Sequence, residues 1–236
     1  LTSVTITDSY YIPKSAFSNC SNLTSIVIQK TVTEIADYAF YGCSNLTTIS
    51  IPNSITNIGN EAFKNCNKLD YAIYDNGYYI GNKENPYVVL MSVKNKSITS
   101  CAINDKCQII YEAFCGCTNL SEITIPNSVK KIGYQAFKNC DVESVTIPNS
   151  VMSIGDYAFS GCGLKSIIIP ESVISIGNYA FSSCYYLNLS IPNSVTTIGG
   201  HAFEHCDMES VVIPNAVTEV GAYAFEYCGE LTTVTI

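Results

Sequence analysis

Histidine, cysteine and tyrosine are the side chains here whose number or spacing suggests chemistry. His201 and His205 stand four residues apart with Glu204 between them, in IPNSVTTIGGHAFEHC. Two histidines so spaced chelate zinc on a regular helix, but the helical zinc-protease motif needs a glutamate directly after the first histidine. Ala202 stands there instead. The stretch IPNSVMSIGDYAFSGC (147–162) is almost the same string without a histidine. His201 takes the slot that Tyr157, Tyr179 and Tyr223 hold elsewhere, and His205 sits in the variable pair before Cys206. Both are expected to be exposed substitutions on a scaffold, with no metal, no cofactor and no catalytic residue. No Ser/His/Asp set and no glycine-rich phosphate loop stands out.

Nine of the twelve cysteines (20, 43, 66, 117, 140, 162, 184, 206, 228) hold one position of a repeat. Disulfide frameworks vary their spacing, whereas these cysteines are spaced at the repeat period and are odd in number. They are expected to be buried free thiols, packing as small hydrophobes. Cys101 and Cys107 occupy valine slots and are read as core. Cys115 follows Ala-Phe at a variable position and is expected to be exposed and the most reactive thiol.

The scaffold that must position these groups is a repeat of about 22 residues, L-x-x-V-x-I-P-N-S-V-x-x-I-G-x-x-A-F-x-x-C. Ala-Phe with Cys three residues after Phe occurs nine times, the phenylalanines spaced by 23, 23, 51, 23, 22, 22, 22 and 22. The valine and isoleucine of LxxVxI alternate as on a strand with one face inward. Proline ends that strand and Asn-Ser supplies a turn. The apolar pair of VxxI, three apart, predicts a helical or 3₁₀ turn. The glycine after it suggests a bend with positive φ. Ala-Phe and Cys point inward, giving a core ladder of Phe40, Cys43, Phe63, Cys66, Phe137, Cys140, Phe159, Cys162, Phe181, Cys184, Phe203 and Cys206. No single copy buries its apolar face, so copies must stack as a solenoid. Residues 1–236 are expected to form one solenoid domain of about ten turns of 22–23 residues, its eleven strands making one parallel sheet on the order of 50 Å long.

The pattern fails between Leu69 and Ile98. YDNGYYIGNKENPYVVLMSV reads as two strands around a polar turn, a β-hairpin at about 75–93 protruding from the solenoid. Tyr78, Tyr79 and Tyr87 on it either contact a partner or cover the gap left by the missing phenylalanine. The third and fifth residues of each LxxVxI face outward. They include Ser25, Val27, Thr48, Ser50, Tyr71, Ile73, Glu122, Thr124, Ser144, Thr146, Ser166 and Ile168, a flat, small, nearly uncharged face suited to weak multivalent binding.

Of 32 charged residues, 20 are acids and 12 are lysines, and residues 166–236 hold seven acids and no lysine. That balance argues against nucleic acid and against anionic membrane, which need clustered basic groups. No apolar run approaches a membrane span. LTSVTI begins inside the repeat, so the chain is expected to be cut from something longer. Five Asn-x-Ser/Thr sequons fall largely at the repeat junction and do not establish glycosylation.

L-x-x-V-x-I-P with A-F-x-x-C, over nearly the whole chain except 69–97, resembles the BspA-type leucine-rich repeat. The resemblance implies an α/β-type solenoid, a right-handed superhelix with a parallel β-sheet on one face and short turns, 3₁₀ or helical segments on the other. It implies a non-enzymatic extracellular or cell-surface module for adhesion to host matrix or neighbouring-cell proteins. A structural stalk presenting another domain, or a glycan-binding surface, is the alternative. Neither end has a polar cap, so end-to-end self-stacking is a further expectation.

Overall fold

The computed structural model describes residues 1–236, and it contains no helix. Each coil of the solenoid carries two short strands, which form two parallel ladders. The LxxVxI segments form the first. Ser3–Ile6, Ser25–Ile28 and Thr48–Ser50 pair with one another, then Ser100–Ala102 with Glu122–Thr124, Ser144–Thr146 with Ser166–Ile168, and Ser210–Val212 with Thr233–Thr235. The expected single sheet of eleven strands is therefore several short ones.

VxxI, read from sequence as a helical or 3₁₀ turn, is a two-residue strand. Tyr11–Ile12, Glu34–Ile35 and Asn57–Ile58 form one sheet. A nine-stranded sheet then runs from Glu219–Val220 back to Ile109–Ile110 and on to Val89–Val93. In each two-residue strand before the last, the isoleucine is inward and buried, as Ile35, Ile58, Ile132, Ile154, Ile176 and Ile198 are. Spacing three thus reported two inward residues separated by a corner, where the Pro carbonyl accepts from the amide three residues on (Val151 N–H to Pro148 O, 3.0 Å).

Helix is excluded by backbone conformation. The residue before Ala-Phe has positive φ in every coil, including Tyr38 (56°), Gln135 (51°), Tyr157 (56°) and His201 (55°), as does the residue before Cys, such as Asn139 (56°) or Gly161 (69°). The pattern sends alternate amides in different directions. Tyr38, Phe40 and Gly42 donate to Asn60, Ala62 and Lys64 of the next coil, each at 2.9 Å. Ala39, Tyr41 and Cys43 donate back within their own turn, to Ala36, Tyr38 and Phe40. A continuous helix would turn all of them along its own axis.

The repeat glycine does not carry the expected positive φ. It is required by close approach: a Cβ on Gly199 would lie 2.4 Å from the Asn178 nitrogen and 2.5 Å from the Gly177 carbonyl carbon. Stacked phenylalanine rings fill the interior, 5.1 Å apart for Phe114–Phe137 and 5.2 Å for Phe137–Phe159.

The insertion divides this interior. One buried cluster spans the coils up to Leu69 with Tyr111 and Tyr134, and a larger one runs from Tyr79 to Ala224. The hairpin does not protrude. Ala72–Tyr74, Gly77–Ile80 and Val89–Val93 pair antiparallel, and Val89–Val93 pairs in parallel with Ile109–Ile110, so the hairpin ends the nine-stranded sheet. Tyr111, from beyond the insertion, closes the end of the first cluster. Its hydroxyl accepts from the Ala62 amide at 2.9 Å and its ring meets Phe63 edge-on at 6.4 Å.

The positive-φ slot makes a direct expectation. Gln135→Val, β-branched in a left-handed position, destabilises the fold by about 1–2 kcal/mol relative to Gln135→Gly. Urea unfolding with an unchanged denaturant slope measures it.

Candidate functional site

The outward positions of the first ladder are open. Glu122, Thr124, Ser144, Thr146 and Ser166 are exposed, Thr48 likewise, and Ser25 and Ser50 are half-buried. The face is more apolar than its Ser/Thr content suggested: Ile168 is 80% exposed and Val27 47%. Two residues expected on it are elsewhere: Ile73 lies on the hairpin strand Ala72–Tyr74 and Tyr71 is half-buried, because the insertion takes this segment into the other sheet. Alternation explains why, since a strand that buries Val145 or Ile167 must present Thr146 or Ile168 to solvent. Two shallow grooves lie along this face. One, of about 470 Å³, runs over Ser144–Pro148 and Ser166–Ile168 to Pro170, and the other, of about 360 Å³, over Ser100–Ile103 and Glu122–Thr124 to Pro126.

The hairpin tyrosines divide. Tyr79 is completely buried, its hydroxyl accepting from the Asn104 amide at 3.1 Å, so it is core and touches no partner. Tyr87 packs edge-on to Tyr79 at 5.5 Å and Tyr78 tilts against Tyr71 at 5.4 Å, both half-buried. Tyr74 remains more open, at 40%. The aromatics largely cover the gap where the Phe ladder stops.

A third surface was not legible in the repeat. Where the three-stranded and nine-stranded sheets of the second ladder meet, residues distant in sequence line a polar cleft of about 500 Å³ with Asp37, Asn60, Lys131, Asp156 and Asn178 on its walls. The Asn60 side-chain Nδ2 donates to Asp156 Oδ2 at 2.7 Å, and the Lys131 ammonium donates to Asn57. Burial pulls the Lys131 pKa down. The only sequence sign was QIIYEAF (108–114), one residue shorter than its counterparts and with tyrosine at the glycine slot.

All twelve cysteines are free. Seven of the ladder thiols donate to the Phe carbonyl of the preceding coil, as Cys140 to Phe114 (2.9 Å), Cys162 to Phe137 (2.9 Å) and Cys184 to Phe159 (3.1 Å). The two that do not, Cys20 and Cys117, follow no such Phe: one is in the first coil and the other after the insertion. This axial hydrogen bond is a role that pattern reading missed. Cys101 and Cys107 are buried as expected. Cys115 is not the exposed thiol expected: it is half-buried, 3.8 Å from Gln135 Oε1, and burial raises its pKa.

The histidines are not exposed either. His201 and His205 are both half-buried. His205 stacks on Tyr227 at 4.8 Å, whereas His201 lies between Tyr179 (4.4 Å) and Tyr223 (5.0 Å) in the slot its tyrosine counterparts define. The two rings therefore belong to different columns and do not form a pair.

Comparison with known proteins accords with this architecture. The sequence profile of the BspA type leucine rich repeat region matches in six copies, over residues 1–84, 91–163 and 152–236. A leucine rich cell surface protein from Faecalibacterium prausnitzii A2-165 is 28% identical with a TM-score of 0.53, the alignment covering 100% of this chain and 59% of that one. A leucine-rich repeat protein from Bacteroides ovatus ATCC 8483 is 26% identical with a TM-score of 0.41, covering 99% of this chain and 63% of that one. The chain thus spans about three fifths of either protein's length. No curated protein sequence matches the chain.

The thiol ladder ties stability to pH. Burial pushes Cys140 and Cys184 up to about 12, whereas unfolded thiols ionise from about pH 8.5. Their folded pKa lies above the unfolded one, so the stability tied to the protonated thiols is complete below the unfolded pKa. It declines as pH rises from there towards 12. Native protein at pH 8 should react with a thiol reagent at few of its twelve cysteines and at all twelve in guanidinium. Melting temperatures should fall between pH 9 and 11, and that fall should shrink in Cys140→Ser.

Proposed function

The chain belongs to the BspA type leucine-rich repeat family, and from that membership we propose that it is a non-enzymatic module for protein recognition at a cell surface. The single observation that supports this is the first-ladder face. It is exposed along the stack, carries one charge, at Glu122, among the outward positions named from sequence, and contains two shallow grooves flanked by bare isoleucine, threonine and serine. A flat sheet of small residues offers many weak contacts and no arginine or tryptophan anchor, so affinity comes from several coils engaging one extended partner. The description of the Faecalibacterium prausnitzii protein as a leucine rich cell surface protein supports a surface location for this chain. No helix is long and apolar enough to cross a membrane. The partner class is a protein of host matrix or of a neighbouring cell.

The polar cleft favours a second reading, in which an oligosaccharide binds Asp37, Asp156 and Asn178 through its hydroxyls. The two readings separate cleanly. In biolayer interferometry against matrix and host-surface proteins, the Thr146→Lys/Ile168→Lys double variant loses at least about tenfold in affinity at unchanged melting temperature, and Asn178→Ala does not. Glycan-array binding that depends on Asn178 and not on Ile168 favours the cleft. Protein binding no stronger than that of an unrelated solenoid overturns the leading proposal.

A further inference from the structure

His201, Glu204 and Glu226 converge at the C-terminal end of the stack. The first two lie three residues apart in one coil, and Glu226 holds in the next coil the slot that Glu204 holds in its own. His201 Nδ1 is 3.5 Å from Glu204 Oε2 and 3.6 Å from Glu226 Oε2, and one donor atom from each of the three residues lies within 4.8 Å of the others. All three side chains are mostly buried: His201 is 23% exposed, Glu204 17% and Glu226 30%.

Nδ1 is sealed from solvent and has no hydrogen-bond partner. A buried imidazole nitrogen without a partner is costly. Two carboxylates facing it without a counter-charge add repulsion. Something positive belongs between them. A proton on Nδ1 would satisfy the charge, but N–H···O bonds to carboxylates close at about 2.7–2.9 Å, well inside the separations seen. Two ligand atoms on one tetrahedral cation, each about 2.0–2.1 Å from the metal, lie about 3.3–3.4 Å apart. The observed 3.5 and 3.6 Å lie just above that edge, and the third donor pair, Glu204 with Glu226, lies within 4.8 Å.

The surroundings hold the donors in place. Tyr179 stacks on the imidazole at 4° between planes and Tyr223 closes its other face at 28°, so the ring presents its edge to the carboxylates. The buried Ser182, one coil back, donates to Glu204 Oε2 at 3.3 Å, the kind of outer hydrogen bond that orients a metal-binding carboxylate.

We propose that His201, Glu204 and Glu226 bind one divalent transition cation of the zinc type. Imidazole with two carboxylates suits zinc and its neighbours in the first transition row better than calcium or magnesium, which take oxygen sets. The cation neutralises two buried carboxylates and ties the two coils together by a bond that crosses the gap between them. This site is independent of the recognition face. His205, the partner that H-x-x-x-H spacing nominated, takes no part. Glu226, one coil away, was invisible to a local motif.

Cobalt(II) titration of the reduced protein tests this, because its visible spectrum reports ligand type and the twelve thiols are potential competitors. One cobalt per chain should bind with a spectrum lacking sulfur-to-cobalt charge transfer, be displaced by zinc, and raise the melting temperature. His201→Tyr installs the residue other coils use at this slot, so the fold is retained. It should weaken binding more than about 100-fold, Glu226→Gln should do likewise, and Ser182→Ala should cost about tenfold. Binding that is equal in wild type and His201→Tyr, a thiolate spectrum, or no saturable binding by the folded wild type each overturns the proposal.

Discussion

The structure rests on one constraint: two residues in every complete coil must adopt a left-handed backbone. The residue before Ala-Phe and the residue before Cys do so in coil after coil, and this turns three alternate amides toward the next coil while those between close their own turn. Phenylalanine stacking, burial of the thiols and the pairing of both ladders need successive coils to superpose, and this alternation sets that superposition. The favoured residues follow. Tyrosine, glutamate, glutamine, histidine, serine, asparagine and glycine occupy these slots and no β-branched residue does, because a branched Cβ clashes most in the left-handed region. Both histidines sit on these positions, which is why they resemble a motif when read locally and are each part of a different column in the folded chain.

Much of this was legible in sequence. Period, inward positions, free thiols and the outward residues of the regular coils follow from counting, since each depends only on which way a side chain faces; Tyr71 and Ile73, at the edge of the insertion, do not. What failed were inferences about backbone conformation. VxxI has the spacing of a helical turn, yet two inward residues three apart also describe a corner between short strands. Glycine suggests positive φ, yet here it yields space to the backbone of the next coil. A single repeat cannot separate such cases, because the deciding partner lies 22 or 23 residues away.

The insertion failed for the opposite reason. It departs from the period, so its local pattern was read correctly as a hairpin while its location was not. The phenylalanine column ends at Phe63 and resumes at Phe114, and the exposed end of the first segment must be covered by something. Tyr111, bonded to the Ala62 amide, and the antiparallel strands running into the nine-stranded sheet provide the cover. The polar cleft is a by-product of that junction, drawing Asn60 against Asp156 across 96 positions of sequence.

The axial hydrogen bonds have a consequence for how such a chain changes over generations. Each regular coil gives the same groups to the coil before it, through the Cys thiol and the Ser hydroxyl, and the same amides to the coil after it. Copying one whole unit therefore leaves every donor and acceptor matched, so length is free to drift by duplication at little cost to folding. A segment of any other size severs the columns and must bring its own plug, as the tyrosine-rich hairpin does. Selection acting on reach is then separable from selection acting on the fold.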